Sequence, residues 1–202
     1  MMKLVIATSN LGKLAEYREL LAGLPYTVLS LHDYPEVGEI KETGSTFWEN
    51  AAIKAELVAA HTGELTLADD SGLEVDALGG LPGVYSARFA GPAATDADNN
   101  AKLLKELKGI FPAQRTARFR AVVALAYPGE KTLFAEGVCE GIILEKPLGT
   151  GGFGYDPLFF LPELGVTFAQ LAAAEKNKIS HRALALAQLR QILQDLAAKE
   201  IF

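Results

Sequence analysis

Three features of the chain predict a mixed α/β fold. A short apolar run, Leu4 to Ala7, leads through a polar turn into a segment of helical periodicity, giving a strand, loop and helix in succession. Ala117, Phe119, Ala121, Val123 and Leu125 alternate with Arg118 and Arg120 in a long strand that Pro128-Gly129-Glu130 turns back into a second one. Helical periodicity then returns at the C-terminal end, so strand-helix units and an antiparallel hairpin region share one chain.

The elements follow in order. After the strand at Leu4–Ala7, a helix from about Gly12 to Ala22 places Leu14, Tyr17 and Leu21 on one face. Tyr26 to Leu31 reads as a strand and Asp33 to Gly44 as a loop. Thr46-Phe47-Trp48-Glu49 is a capping-box pattern, and the helix it starts runs to about His61 with Phe47, Ala51, Ala55 and Val58 at helical spacing. Asn50 and Lys54 border that stripe. Leu65–Ala68 and Leu73–Leu78 read as two strands on either side of Asp69-Asp70-Ser71-Gly72, and residues 79–83 as a loop. Thr95 or Asp96 caps a helix carrying Leu103, Leu104 and Leu107 and ending at Gly109. Past the hairpin, with its second strand at about Lys131–Ala135, Gly137–Leu144 extends the sheet and Gly149–Gly154 is a glycine-dense loop. Ser180 caps a last helix with Leu186, Leu189, Leu193 and Leu196 on one face.

Composition narrows the function classes. At 202 residues the chain is a single domain, or two small lobes sharing a core, able to fold without disulfide or metal support. Nineteen Lys and Arg against 25 Asp and Glu, a net charge of −6, disfavour a nucleic-acid surface while allowing a local basic pocket. The longest unbroken apolar run, Ala121–Tyr127, is seven residues, well short of the roughly 20 of a membrane-spanning helix. The opening residues hold too few apolar side chains for a secretion signal, and Cys139 is the single cysteine, so the expected compartment is the cytoplasm. Cys139 reads as a small apolar packing residue.

Four clusters point to chemistry. Thr8-Ser9-Asn10-Leu11-Gly12-Lys13 lies between a strand and a helix start, where amides, the helix dipole and a lysine favour phosphate. The alternative is Asn10 as a helix cap beside a solvated Lys13. Glu42 with Asp69-Asp70 forms an oxygen-rich set suited to Mg2+ held jointly with phosphates, one carboxylate anchoring metal and another accepting the proton of an attacking water. The alternative is an Asx turn capping the Ser71 and Gly72 amides. Gly151-Gly152-Phe153-Gly154-Tyr155-Asp156-Pro157 permits close backbone approach to a ligand, with Phe153 or Tyr155 as a stacking face, or is simply a turn carrying core aromatics. Glu175 to Arg182 gathers donors at a helix start, where His181 and Arg182 oppose the dipole and so suggest a functional demand. Arg115, Arg118 and Arg120 read as a solvated strand face. Together these clusters suit a nucleotide with a divalent metal.

In order and over nearly the whole chain, the pieces Ala7–Lys13, Glu42-Thr43-Gly44 with Thr46-Phe47 and Glu49-Asn50-Ala51, Ala68–Leu73, Pro82–Arg88, Gly151–Pro157, and Glu175-Lys176 with Ile179–Arg182 resemble the inosine triphosphate pyrophosphatases, or XTP/dITP diphosphatases. The resemblance implies a long mixed β-sheet flanked by helices, two lobes around a central cleft, usually a homodimer. It implies hydrolysis of ITP, dITP or XTP to the monophosphate and pyrophosphate. By position, Thr8, Ser9, Asn10, Leu11, Gly12 and Lys13 would bind the triphosphate with help from Lys54. Glu42 and Asp70 would hold Mg2+, Asp70 would also be the proton acceptor, and Asp69, the other catalytic candidate, would orient water or metal or itself serve as the base. Ser71, Phe153, Gly154, Tyr155, Asp156, Lys176, His181 and Arg182 would contact the nucleotide. Lys176, His181 or Arg182 donating to a 6-oxo group would face donor to donor with the 6-amino group of adenine. The alternatives are a pyrophosphatase for other modified nucleoside triphosphates and a nucleotide-binding sensor without turnover.

Overall fold

A computed structural model of the chain describes residues 2–199. Its strands form one seven-stranded sheet in the order β2-β1-β3-β4-β5-β6-β7. They are β1 (Met2–Ile6), β2 (Tyr26–Ser30), β3 (Leu65–Val75), β4 (Thr116–Ala126), β5 (Leu133–Ile143), β6 (Phe159–Leu161) and β7 (Val166–Thr167). The helices are α1 (Leu11–Leu20), α2 (Phe47–Thr62), α3 (Asp96–Glu106), α4 (Ala173–Ile179) and α5 (His181–Lys199). Strand β1 pairs in parallel with β2 and β3, whereas β5-β6 and β6-β7 are antiparallel, so the sheet is mixed as expected.

The chain divides into two compact units. Among the described residues the first comprises 2–70, 121–137 and 182–199. Leu14, Tyr17 and Leu21 of α1 and Ala185, Leu186, Leu189 and Leu193 of α5 pack on Leu4, Ile6, Leu65, Leu67, Val123 and Leu125 of the strands. Each fully buried leucine contributes about 1.5–3 kcal/mol over leaving it in water. The Tyr26 hydroxyl donates to Leu193 O at 2.6 Å, tying β2 to α5. Helix α2 begins where the capping box places it: Thr46 accepts from Glu49 N, Glu49 accepts from the Ser45 and Thr46 amides, and Gly63 closes the other end.

The second unit comprises residues 71–120 and 138–181. Leu103 and Leu107 of α3 pack with Leu73, Val75, Ala117, Phe119, Ile143, Leu158, Phe159 and Phe168. Thr95, not Asp96, is the N-cap of α3. Cys139 is buried in this core, and burial pushes its thiol up to about 11, as a packing residue requires.

Three expectations are corrected. Asp69 to Gly72 is not a turn between two strands: Leu65–Val75 is a single strand, because both aspartates find cations while extended and Leu73 N finds Ser86 Oγ at 2.9 Å. The hairpin's second strand and its supposed extension are likewise one strand, Leu133–Ile143. Helix α4 and the short strands β6 and β7 carry too few residues to register as periodicity. Arg115 does not lie on a solvated face; it is 4% exposed and donates to Ile110 O, Leu107 O and Leu144 O at 3.1, 3.0 and 3.4 Å, closing the C-terminal end of α3. Arg118 and Arg120 are half-buried and paired, Arg118 with Asp76 and Glu140 and Arg120 with Glu74. Among the described residues no helix is long and apolar enough to cross a membrane.

Three carbonyls lose their donor if Arg115 is truncated, and burial leaves them little water. Arg115→Ala should therefore cost about 2–4 kcal/mol of unfolding free energy in urea titrations; a loss within about 0.5 kcal/mol would mark Arg115 as a surface residue in effect.

Candidate functional site

In the first unit the site is organised by β3. Consecutive residues of a strand point to opposite faces. Asp69 therefore follows Leu65 and Leu67 to the face covered by α1 and α5, while Asp70 points to the face bearing α2. The adjacent pair that suggested one acidic cluster is two separate carboxylates.

Asp69 has a fully buried side chain and lies between two cations, with Oδ2 at 3.1 Å from Lys13 Nζ and 3.3 Å from Arg182 Nε. Arg182 Nη1 also reaches Glu16 Oε2 at 2.8 Å. The two carboxylates answer the objection that a cation at the start of α5 opposes the helix dipole. Lys13 is not solvated: burial lowers its pKa, and Asp69 works against that shift. Asn10 is the N-cap of α1, with Oδ1 accepting Lys13 N at 3.0 Å, so the cap alternative holds for Asn10 alone. Thr8 Oγ1 accepts Asn10 N, while Ser9 and Leu11 are exposed, Leu11 at 68%. Gly12 is half-buried in the first turn of α1.

On the other face Asp70 Oδ2 accepts from Asn50 Nδ2 at 3.0 Å, and Oδ1 lies 3.8 Å from Lys54 Nζ. Lys54 in turn holds Glu42 Oε1 at 2.5 Å. Burial raises the Asp70 carboxyl above its ordinary range, opposed by Lys54 and then Lys13. Glu42 and Asp70 thus converge on one ammonium. Two carboxylates brought to a common cation position fit a Mg2+ ion that takes its remaining ligands from phosphates and water. Among the described residues no three His, Cys, Asp or Glu side chains gather as a metal cluster, so phosphate and water would complete any such site.

The second unit holds the other set. Ser71, half-buried, follows Asp70 in β3. Asp156 and Lys176 are buried at 2% and 5% exposure and paired at 2.6 Å. Asp156 Oδ2 also accepts Phe153 N at 3.0 Å, and Lys176 Nζ stands 4.9 Å from the Phe153 ring centre. Gly152 has φ +71°, and a Cβ there would lie 2.0 Å from Asp156 Oδ2, so this turn admits no side chain. Lys176 comes from the middle of α4 rather than a helix start. Tyr155 offers no stacking face: it is buried, its hydroxyl donates to Ser86 O at 2.8 Å, and burial raises its pKa. Phe153, by contrast, is half-buried. His181 is buried and stacks on Phe119, with ring centres 4.9 Å apart and planes at 12°.

Sequence reasoning missed Glu16 and Asn50 as members of the first set. Their signal was positional: Glu16 lies one helical turn after Lys13, and Asn50 one turn before Lys54.

Comparison with known proteins gives a uniform result. A family model described as the Ham1 family matches residues 4–192. The chain is 56% identical to a dITP/XTP pyrophosphatase of Listeria innocua, the match covering 98% of both chains. It is also 56% identical to a dITP/XTP pyrophosphatase of Shouchella clausii, over 98% of this chain and 100% of that one. Among solved structures, a Ham1 protein from Coxiella burnetii superposes with TM-score 0.87 at 45% identity, over 96% of this chain and 100% of that one. The Staphylococcus aureus Ham1 protein gives TM-score 0.85 at 39% identity, over 96% and 98%.

The Lys176–Asp156 pair makes a stability prediction. Lys176→Met removes the cation beside a buried carboxylate and should cost about 3–5 kcal/mol, whereas Lys176→Met with Asp156→Asn should recover much of that loss in a double-mutant cycle. A double variant whose loss equals the sum of the two single losses would mean that the two groups do not depend on each other.

Proposed function

This chain belongs to the Ham1 family, and we propose that it hydrolyses purine nucleoside triphosphates with a deaminated base, dITP, ITP or XTP, to the monophosphate and pyrophosphate. The observation that carries this reading is the first unit's pairing of a buried carboxylate, Asp70, with Lys54 and Glu42, alongside the half-buried Lys13 and the buried Arg182. Identity of 56% with proteins named for this activity supports it.

In this reading Lys13, Lys54 and the amides at the start of α1 bind the triphosphate, with the positive end of a ten-residue helix adding to the attraction. Arg182, held by Asp69 and Glu16, contributes charge beside Lys13. Asp69 is then an orienting group for cations, and Asp70 is the proton acceptor. Asn50 Nδ2 fixes the orientation of that carboxylate toward an attacking water. Glu42 and Asp70 would hold Mg2+. When bound, the ion would neutralise phosphate charge and acidify water.

The second unit's set reads the base. Phe153 supplies a ring face, Lys176 and His181 supply donors, and Asp156 holds Lys176 in place at 2.6 Å. A 6-oxo group accepts from such donors, whereas the 6-amino group of adenine presents donor to donor, a mismatch that costs on the order of 10⁴-fold. The same reading places the enzyme in the cytoplasm as a homodimer; the single, buried thiol suits a reducing compartment.

The test is chromatography of products from ITP, XTP, GTP and ATP, with Mg2+ and with EDTA. IMP and pyrophosphate from ITP, ATP slower by roughly 10³-fold or more, and arrest by EDTA are expected. IDP with orthophosphate would place the cleavage at the terminal phosphate and contradict the proposal. Binding without turnover on all four would leave a nucleotide sensor.

A further inference from the structure

The loop that carries Phe153 and Asp156 is gripped by α3. Asp96 and Asn100 lie one turn apart on the same face of that helix. Asp96 Oδ2 accepts the Gly154 N–H at 2.7 Å, and Asn100 Nδ2 donates to Gly154 O at 2.8 Å. Both backbone polar groups of one residue are thus taken by side chains of one helix. That residue is where the loop turns, since Gly154 has φ +60°, a left-handed conformation that glycine adopts at no steric cost. The preceding peptide leads from Phe153 and the following one leads to Tyr155, whose hydroxyl is itself anchored on Ser86 O.

Asn100 bears a cost for this grip. Its Nδ2 also donates to Asp96 O at 2.7 Å, so two carbonyls fix the orientation of the amide; reversing it would set oxygen against oxygen. Asn100 Oδ1 is then buried with no hydrogen-bond partner among the described residues. Buried acceptors are rarely left so, and a helix residue chosen for stability alone would avoid it.

We propose that Asp96 and Asn100 are positioning residues for nucleobase recognition: they set the Gly154 turn and through it the Phe153 ring against which the purine stacks. The inference rests on the assignment of this loop to the base made above. Neither residue touches the substrate. Position 96 needs only an acceptor, so asparagine there keeps the bond and alanine loses it.

The experiment compares Asp96→Ala, Asp96→Asn and Asn100→Ala with the wild type in two readouts. These are kcat and KM for dITP and dATP, and amide hydrogen exchange over residues 151–157. Asp96→Ala and Asn100→Ala should raise KM for dITP about tenfold, the scale of one lost hydrogen bond, with kcat within about twofold and a smaller preference for dITP over dATP. Residues 151–157 should exchange faster in both, and Asp96→Asn should behave as wild type. Unchanged KM and exchange in the alanine variants would overturn the proposal. So would a parallel fall of kcat and preference-free KM changes in all three variants, which is the signature of general destabilisation. A wild type without turnover of dITP would remove the functional reading, and the nucleobase role with it, while the exchange data would still report separately on whether α3 holds the loop.

Discussion

Two consecutive carboxylates are buried in one uninterrupted strand, and much of the first unit is arranged around that constraint. An ionised carboxylate taken out of water costs several kcal/mol unless it is paired. Because strand geometry sends Asp69 and Asp70 to opposite faces, each makes its own close contacts. Asp69 draws Lys13 from α1 and Arg182 from α5; Asp70 draws Lys54 and Asn50 from α2. The charges therefore depend on helices covering both faces of β3, and the parallel pairing of β3 with β1 brings the start of α1 to the same end of the sheet. Such ion pairs contribute little net stability compared with a hydrophobic filling of the same volume. What they provide is an arrangement of opposite charges already desolvated and oriented, which is the condition under which electrostatics act most strongly on a reacting group.

The two units solve different problems. In the first, the charged groups other than Glu42 sit on β3, α1, α2 and α5; β3, α1 and α5 share one apolar core, and α2 buries Phe47, Ala51, Ala55 and Val58. In the second, the base recognition proposed above falls to a loop rich in glycine, which lets backbone come close to a ligand but gives little rigidity of its own. The rigidity is imported: Asp156 ties Lys176 to Phe153 N, Tyr155 is pinned through its hydroxyl, and α3 grips Gly154. Side chains that look like ligand contacts in the sequence are in part the scaffolding of the loop, and Tyr155 is the clearest case.

Local physics made much of this legible in advance. The capping box at Thr46 and Glu49, the stripe of Leu14, Tyr17 and Leu21, and the alternation around Phe119 each depend on near neighbours, and each is found where the spacing put it. The continuity of β3 was not legible, because Asp-Asp-Ser-Gly has the composition of a turn and the cations that keep it extended come from residues 13, 54 and 182. Arg115 was misread for the same reason: its acceptors are carbonyls, which carry no signature in side-chain composition. At the site, residue types and their phosphate-binding or acidic character were visible, and so was the family resemblance. Which carboxylate faces which cation was not, since that depends on a strand register decided by distant partners.

The division of labour between Asp69 and Asp70 is the claim on which the account turns, and paired measurement of turnover and nucleotide binding in Asp69→Asn and Asp70→Asn tests it most directly. With single-turnover ITP hydrolysis and equilibrium ITP binding, the account predicts that Asp70→Asn lowers the chemical rate by at least about 10²-fold while binding persists. Asp69→Asn, which leaves Lys13 and Arg182 without their shared carboxylate, should chiefly weaken nucleotide binding or folding and leave bound substrate reactive. A folded Asp70→Asn protein with near-normal turnover, beside an Asp69→Asn protein that binds but does not react, would contradict it.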